Sequence, residues 1–111
     1  MNLKIIPTPE FSRQAKKLSK SYKHIAHDLK KFKNELLENP TLGIELGRNC
    51  YKIRLSNSSI PTGKSGGFRI ITYYIDNKNI IRLLLIYSKT EKASVSSKEI
   101  QEILTANNFN A

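Results

Sequence analysis

The spacing of apolar positions changes once along the chain, near residue 50. A short apolar run from Leu3 to Ile6 ends at Pro7 and predicts a strand. Thr8 then suits a helix N-cap, with Pro9 at the first helical position. Apolar residues recur at helical spacing in two stretches, Phe11, Ala15 and Leu18, then Ile25, Leu29, Phe32 and Leu36. The sequence therefore predicts two helices, the second ending before Asn39-Pro40.

From residue 51 the period becomes two, with Lys52 and Arg54 facing away from the apolar positions of 51–55. Residues 68–75 and 80–89 are apolar at nearly every position, and the turn 76–79 between them predicts a hairpin. Such runs indicate a sheet covered on both faces. Ser96 and Glu99 form a capping box for a last helix. The prediction is one α+β domain over residues 1–111, with a strand, two helices, three antiparallel strands and a helix.

The loop between the first two of these antiparallel strands contains Gly63, Lys64 and Ser65, the triplet that ends a nucleotide-binding P-loop. A P-loop also needs a glycine where Ser58 stands, and it opens a helix where a strand is predicted here. We therefore interpret the segment as an inter-strand connection. Its two following glycines, at positions 66 and 67, would permit a positive φ or a bulge.

Charge adds the next constraint, because 19 Lys and Arg face 9 Asp and Glu, a net charge of +10. Such an excess on a small domain attracts polyanions, with nucleic acid the first candidate, an acidic protein the second and an anionic membrane the third. No apolar run is long enough to cross a bilayer, and the lone Cys50 fits a reducing cytoplasm. Seven lysines of the predicted helices are either solvated or in contact with phosphate: Lys16, Lys17, Lys20, Lys23, Lys30, Lys31 and Lys33.

Strand alternation indicates which basic residues of the sheet lie together. Lys52 and Arg54 share a face, and pairing of the last two strands brings Arg69 close to Tyr87 and Lys89. Like charges gathered on a sheet are unfavourable without an anion, which makes this group a candidate site. Strand spacing alone does not distinguish this cluster from four separate surface cations, namely Lys52, Arg54, Arg69 and Lys89.

Three motifs, in this order and spacing, resemble the RelE/ParE superfamily of toxins, closest to its HigB-like branch. They are KIR at 52–54, KSGGFR at 64–69 and IYSKTEK at 86–92. The lysine-rich helices before them fit the same pattern. The resemblance therefore covers essentially the whole chain and implies a RelE-like fold, with an N-terminal strand and helical hairpin packed on an antiparallel sheet and a short C-terminal helix.

The resemblance implies the toxin of a type II toxin–antitoxin system, a cytoplasmic, ribosome-dependent endoribonuclease that cuts mRNA in the A site without metal or other cofactor. In such a reaction the ribose 2′-OH attacks the adjacent phosphorus and leaves a 2′,3′-cyclic phosphate. The implied catalytic residues are Lys52 as the base, Arg54 and Arg69 on the phosphate, and Lys89 or Tyr87 as the acid. RNA contacts are assigned to Lys64, Lys92, Tyr51 and Tyr73, and the partners are the ribosome, mRNA and an antitoxin that is acidic or contains a helix-turn-helix.

Two other functions stay open at this point. A ParE-like toxin would share the fold and inhibit DNA gyrase by protein contact, but such proteins usually lack the Lys/Arg cluster on the strands. A non-catalytic RNA-binding module would display stacking aromatics, for which the tyrosines at 51, 73, 74 and 87 are candidates.

Overall fold

The computed structural model describes residues 2–60 and 66–109, which form five strands and three α-helices. The strands are β1 (Lys4–Pro7), β2 (Ile44–Gly47), β3 (Cys50–Leu55), β4 (Phe68–Ile75) and β5 (Ile80–Ser88). The helices are α1 (Pro9–Ser19), α2 (Ile25–Glu38) and α3 (Ser97–Ala106). In this part of the chain, no helix combines the length and apolar character that a membrane span requires. The predicted α+β class is confirmed.

The five strands form one sheet in the order β1-β5-β4-β3-β2. The predicted hairpin of β4 and β5 is confirmed, with a 3₁₀ turn at Asp76–Lys78 and a left-handed Asn79 at φ 53°. The pairing of β3 with β4 is also confirmed. β1 runs parallel to β5, so the sheet is mixed at this edge.

The predicted strand order is incomplete, because β2 precedes β3 and pairs with it. β2 is only four residues long and all four are exposed, so the brief alternation of Ile44, Glu45 and Leu46 is too short to predict a strand. The turn from β2 to β3 has positive φ at Gly47 (90°), Arg48 (54°) and Asn49 (64°), which suits a tight hairpin.

The helix ends follow the predicted capping chemistry. Thr8 is the N-cap of α1, where its Oγ1 accepts the N–H of Phe11 at 3.1 Å. Ser96 and Glu99 form both hydrogen bonds of the capping box at the start of α3. Since each cap satisfies N–H groups without partners within the helix, both helices begin where the sequence predicts.

The sheet is covered on both faces, as predicted, and the two faces differ in what covers them. One face is covered by the helical hairpin of α1 and α2, and we call it the hairpin face. Its strand residues pack against Phe11, Leu18, Ile25, Phe32 and Leu36 of the two helices; they are Ile53, Leu55, Phe68, Ile70, Ile81, Leu83 and Ile86. The α3 face carries Cys50, Ile71, Tyr73, Leu84, Leu85 and Tyr87, which pack against Leu104 and its neighbours. A register shift in the β4–β5 pairing accompanies the presence of two successive leucines, 84 and 85, on the α3 face.

Of the two glycines that lead into β4, Gly67 has neither a positive φ nor a bulge, since the register shift of β4 lies further along the strand. Gly67 is needed for a different reason, because a Cβ built there would lie 2.1 Å from the carbonyl oxygen of Leu55. The chain passes so close to the end of β3 that only glycine fits.

Candidate active site

Three of the predicted site residues lie in one row across the α3 face of the sheet. Arg54 of β3 is the register partner of Arg69 of β4, and Arg69 is the partner of Tyr87 of β5. Directly paired residues have Cβ atoms about 4.5–5.5 Å apart. The sheet therefore brings together two guanidinium groups and a phenol, which we call the basic row.

Arg69 is the centre of the basic row and is only 5% exposed. Its Nη1 donates to the carbonyl oxygen of Phe68 at 3.2 Å. Burial and the neighbouring charge of Arg54 lower the pKa of the Arg69 guanidinium, against an opposite effect of Tyr87. The surroundings of Arg69 thus disfavour its positive charge, and an anion bound at the row would reverse that effect.

Tyr87 is buried, with 8% of its surface exposed. Burial raises the pKa of the Tyr87 phenol, while the charges of Arg69 and Lys92 lower it and that of Glu99 raises it. The net direction keeps the phenol protonated at neutral pH, so that it can donate a hydrogen bond or a proton.

Lys52 lies on the same face as the basic row, two residues before Arg54, and is half-buried. It lines a groove of about 520 Å³ between the β2–β3 turn and α3, where the Arg48 side chain donates to Gln101. Cys50 lies in the same groove, and burial raises the pKa of its thiol to about 11 despite the nearby Arg48. A thiol that stays protonated is a poor nucleophile.

The two lysines after β5 have side-chain partners of their own. The ammonium of Lys89 donates to the carbonyl oxygen of Ala93 at 2.5 Å. Lys92 pairs with Glu99 at 2.8 Å in a solvent-exposed ion pair, and its charge reaches Tyr87. The structure therefore brings Lys92 to the end of the basic row, whereas it engages the ammonium of Lys89 in the segment that follows β5.

Two of the other predicted RNA contacts, Tyr51 and Tyr73, lie apart from the basic row. Tyr51 alternates with Lys52 and points to the opposite face of the sheet. Tyr73 is 6% exposed and stacks on Phe109 with ring centroids 5.6 Å apart, so its ring is covered by the end of the chain. Lys64 and the P-loop-like triplet 63–65 lie outside the described residues.

Glu99 is the residue of this region that the sequence pattern assigned only to helix capping. Its hydrogen bond from Lys92 lowers the pKa of the Glu99 carboxyl. The signal for a second role was present in the pattern, since Lys92 precedes the capping box closely enough to reach it. However, the proximity of this pair to Tyr87 depends on how α3 returns over the sheet.

Comparison with solved structures gives the fold a name, although no protein-family model matches the chain. The E. coli toxin RelE, in the free state of a mutant with two arginines changed to alanine, is 21% identical with a TM-score of 0.62, covering 96% of this chain and 98% of that chain. The intact E. coli RelBE toxin–antitoxin complex is 24% identical over 77% and 94%, with a TM-score of 0.58. The same RelE mutant in complex with an antitoxin RelBc peptide is 21% identical over 92% and 93%, with a TM-score of 0.58.

These matches extend over nearly the full length of the RelE chains, and they agree with the order of helices and strands described above. At this level of identity they establish the architecture of the chain. The chain has the fold of the RelE toxin.

Proposed function

We propose that this chain is the toxin of a type II toxin–antitoxin system and that it cleaves mRNA in the ribosomal A site. The observation that carries the proposal is the basic row of Arg54, Arg69 and Tyr87, in register across three adjacent strands. The RelE fold and the net charge of +10 support it, since both fit a protein that acts on a polyanion. The HigB-like branch stays a prediction within this proposal.

The proposed reaction needs a base, a cation on the phosphate and an acid. Lys52 takes the proton of the ribose 2′-OH as the 2′ oxygen bonds to phosphorus. Arg69 binds the non-bridging oxygens through its planar fork, with Arg54 beside it, and stabilises the added negative charge. The bond from phosphorus to the 5′ oxygen breaks, which gives a 2′,3′-cyclic phosphate and a 5′-OH.

We assign the acid to Tyr87 rather than Lys89. Tyr87 is the direct register partner of Arg69, and burial raises its pKa, so its proton is retained until the 5′ oxygen leaves. The ammonium of Lys89 is instead bonded to the carbonyl oxygen of Ala93. Lys92 lies near Tyr87 and serves as a further phosphate contact. In this proposal, removal of the 2′-OH proton and protonation of the 5′ oxygen both proceed without a metal ion.

The proposed partners follow from the same features. An ordered substrate on the ribosome supplies the alignment that a site without histidine lacks. The protein with net charge +10 suits an acidic antitoxin, and the E. coli RelE structures include complexes with an antitoxin. A cytoplasmic location, where ribosomes and mRNA are found, is part of this proposal.

The test is cleavage of a defined mRNA on purified ribosomes, mapped by primer extension, with a reaction lacking ribosomes as control. We expect cuts phased to the A-site codon with the wild type and their loss with Arg69→Ala and Lys52→Ala. Lys78→Ala is the matched control, because it removes one positive charge at the far end of the β4–β5 hairpin. An mRNA with a 2′-deoxynucleotide on the 5′ side of the cut should resist cleavage there. Growth arrest by a wild-type protein that does not cut would point instead to gyrase or another protein target.

A further inference from the structure

A second cleft lies on the open edge of the sheet, beside the basic row. It has a volume of about 280 Å³ and separates α2 from the end of β3 and the residues that follow. Its polar lining comes from His27, Asp28, Lys31, Glu35, Arg54, Ser56 and Ser58. The pairing of β2 with β3 ends at Lys52, so Arg54 lies beyond the part of β3 that β2 covers.

Two hydrogen bonds connect the walls of the cleft. Asp28 is 4% exposed, and its Oδ2 accepts the N–H of Ser58 at 3.0 Å. The N–H of His24, at the start of α2, donates to Ser59 Oγ at 3.0 Å. Because these two bonds tie the segment after β3 to the first turns of α2, the cleft is formed before any ligand binds.

One face of α2 contributes an imidazole, an ammonium and a carboxylate group to the cleft. His27, Lys31 and Glu35 are four residues apart, which aligns them along the helix. Arg54, at the end of β3, also lines the cleft and is at the same time a member of the basic row. A strand of RNA whose phosphate lies on the basic row can therefore pass over Arg54 and reach the cleft.

The lining of the cleft carries both positive and negative groups, and this combination favours a nucleotide over an acidic protein segment. The cations Lys31 and Arg54 suit a phosphate. The carboxylate of Glu35 suits a base, because carboxylates accept hydrogen bonds from the amino groups of bases in nucleic-acid recognition. An acidic protein segment would meet the carboxylates of Glu35 and Asp28 and be repelled. A single nucleotide offers both an anion and N–H donors within one small volume.

We propose that this cleft binds the nucleotide next to the scissile phosphate of single-stranded RNA, with Lys31 and Arg54 on its phosphate. The proposal rests on the proposed function for the identity of the strand that crosses the basic row. It adds a residue of α2 to the substrate path and gives the enzyme a place to distinguish bases.

The first test compares Lys31→Ala with Lys30→Ala in binding of a non-cleavable 2′-O-methyl RNA hexamer, measured by fluorescence anisotropy over a range of salt. Both lysines are exposed neighbours on α2, but only Lys31 lines the cleft. We expect Lys31→Ala to weaken binding about fivefold, the size of one exposed charge contact. The slope of log K against log salt should fall by about 0.7, while Lys30→Ala stays near the wild type. Equal effects of the two changes, or no binding by the wild type, would overturn the proposal.

The two histidines of the chain provide a second readout. His27 lines the cleft and His24 does not, so the Cε1–H resonance of His27 should shift on addition of the hexamer while that of His24 stays in place. Equal shifts or no shift would contradict the proposal. Neither readout needs catalysis or ribosomes. If the two lysine variants bind alike while the wild type cuts mRNA on ribosomes, this inference fails and the proposed function stands.

Discussion

The two faces of the sheet are built by the same strands but bury different kinds of side chain. The hairpin face is filled by apolar residues that α1 and α2 cover. On the α3 face the single helix leaves room for a groove and for the basic row, where Arg69 is buried at the centre. The comparison separates the residues that stabilise the fold from the residues that we assign to its chemistry.

The largest effect is expected from a truncation on the hairpin face. Phe68 is fully buried and packs edge-on against Tyr22 with ring centroids 5.5 Å apart. Phe68→Ala should lower the free energy of unfolding by about 3–5 kcal/mol, because it removes buried surface and leaves a cavity. Urea denaturation followed by circular dichroism measures this change. A loss below about 1 kcal/mol would mean that this face is not the main core.

Cys50 tests how closed the α3 face is at the groove. Burial raises its pKa to about 11 from an ordinary 9.0. The thiolate fraction at pH 8, and so the alkylation rate, should be about a hundredfold below that of an exposed cysteine. Iodoacetamide labelling followed by mass spectrometry measures the rate, with the protein in urea as control. Equal rates in the folded and unfolded protein would show that α3 does not protect the groove.

The attachment of α3 is tested by two changes at its capping box. Ser96→Ala removes the hydroxyl that accepts the N–H of Glu99 at 3.1 Å and should cost about 1 kcal/mol of stability. Glu99→Gln keeps a capping side chain at the same position but removes the charge that Lys92 binds. We therefore expect Ser96→Ala to lower the stability more than Glu99→Gln does. Thermal unfolding of both variants at neutral pH measures this, and a larger loss for Glu99→Gln would contradict the prediction.

Glu99 also has a defined pH dependence. Its folded pKa is lowered below the ordinary 4.5, so its stabilising contribution is present above about pH 4.5 and is lost as pH falls through the folded pKa. The difference in stability between wild type and Glu99→Gln should therefore shrink below pH 4.5. A difference that stays constant from pH 6 to pH 3 would contradict the ion pair with Lys92.

The smallest change in stability is expected at the centre of the basic row. Arg69→Met keeps a long side chain but removes a buried charge that Arg54 disfavours. Loss of the unfavourable burial of this charge offsets loss of the hydrogen bond to the carbonyl oxygen of Phe68, so the free energy of unfolding should stay within about 1 kcal/mol of the wild type. Urea denaturation decides, and a loss above 2 kcal/mol would make Arg69 a structural residue.

Much of the fold follows from local patterns, but the central site also needs an irregularity that the sequence pattern does not reveal. The turn at 76–79 and strand alternation alone would pair Arg69 with Ile86, and the register shift between Ile71 and Thr72 pairs it with Tyr87 instead. β2 is not visible, because its four residues are all exposed and its turn depends on positive φ at ordinary residues. Gly67 is a glycine because of the carbonyl oxygen of Leu55, a contact across the sheet that sequence spacing does not encode.

The cleft was beyond sequence reasoning for a similar reason. Asp28 lies on a helix and its hydrogen-bond partner, Ser58, lies 30 residues away in the segment after β3. The pattern assigned Lys31 to a general lysine-rich surface, and only the packing of α2 along the edge of β3 separates it from Lys30. Likewise, the stacking of Phe109 on the ring of Tyr73 depends on how the segment after α3 returns to the sheet, which spacing does not encode.

The most direct test of the central claim is the rate of mRNA cleavage on A-site-programmed ribosomes by the wild type and by Arg69→Met, at matched stability. The account predicts codon-phased cleavage by the wild type and a fall of about 10²–10³-fold in the variant, the loss typical of one group that stabilises the transition state. Equal rates in the two proteins, or no cleavage by the folded wild type, would contradict the assignment of the basic row as the catalytic centre.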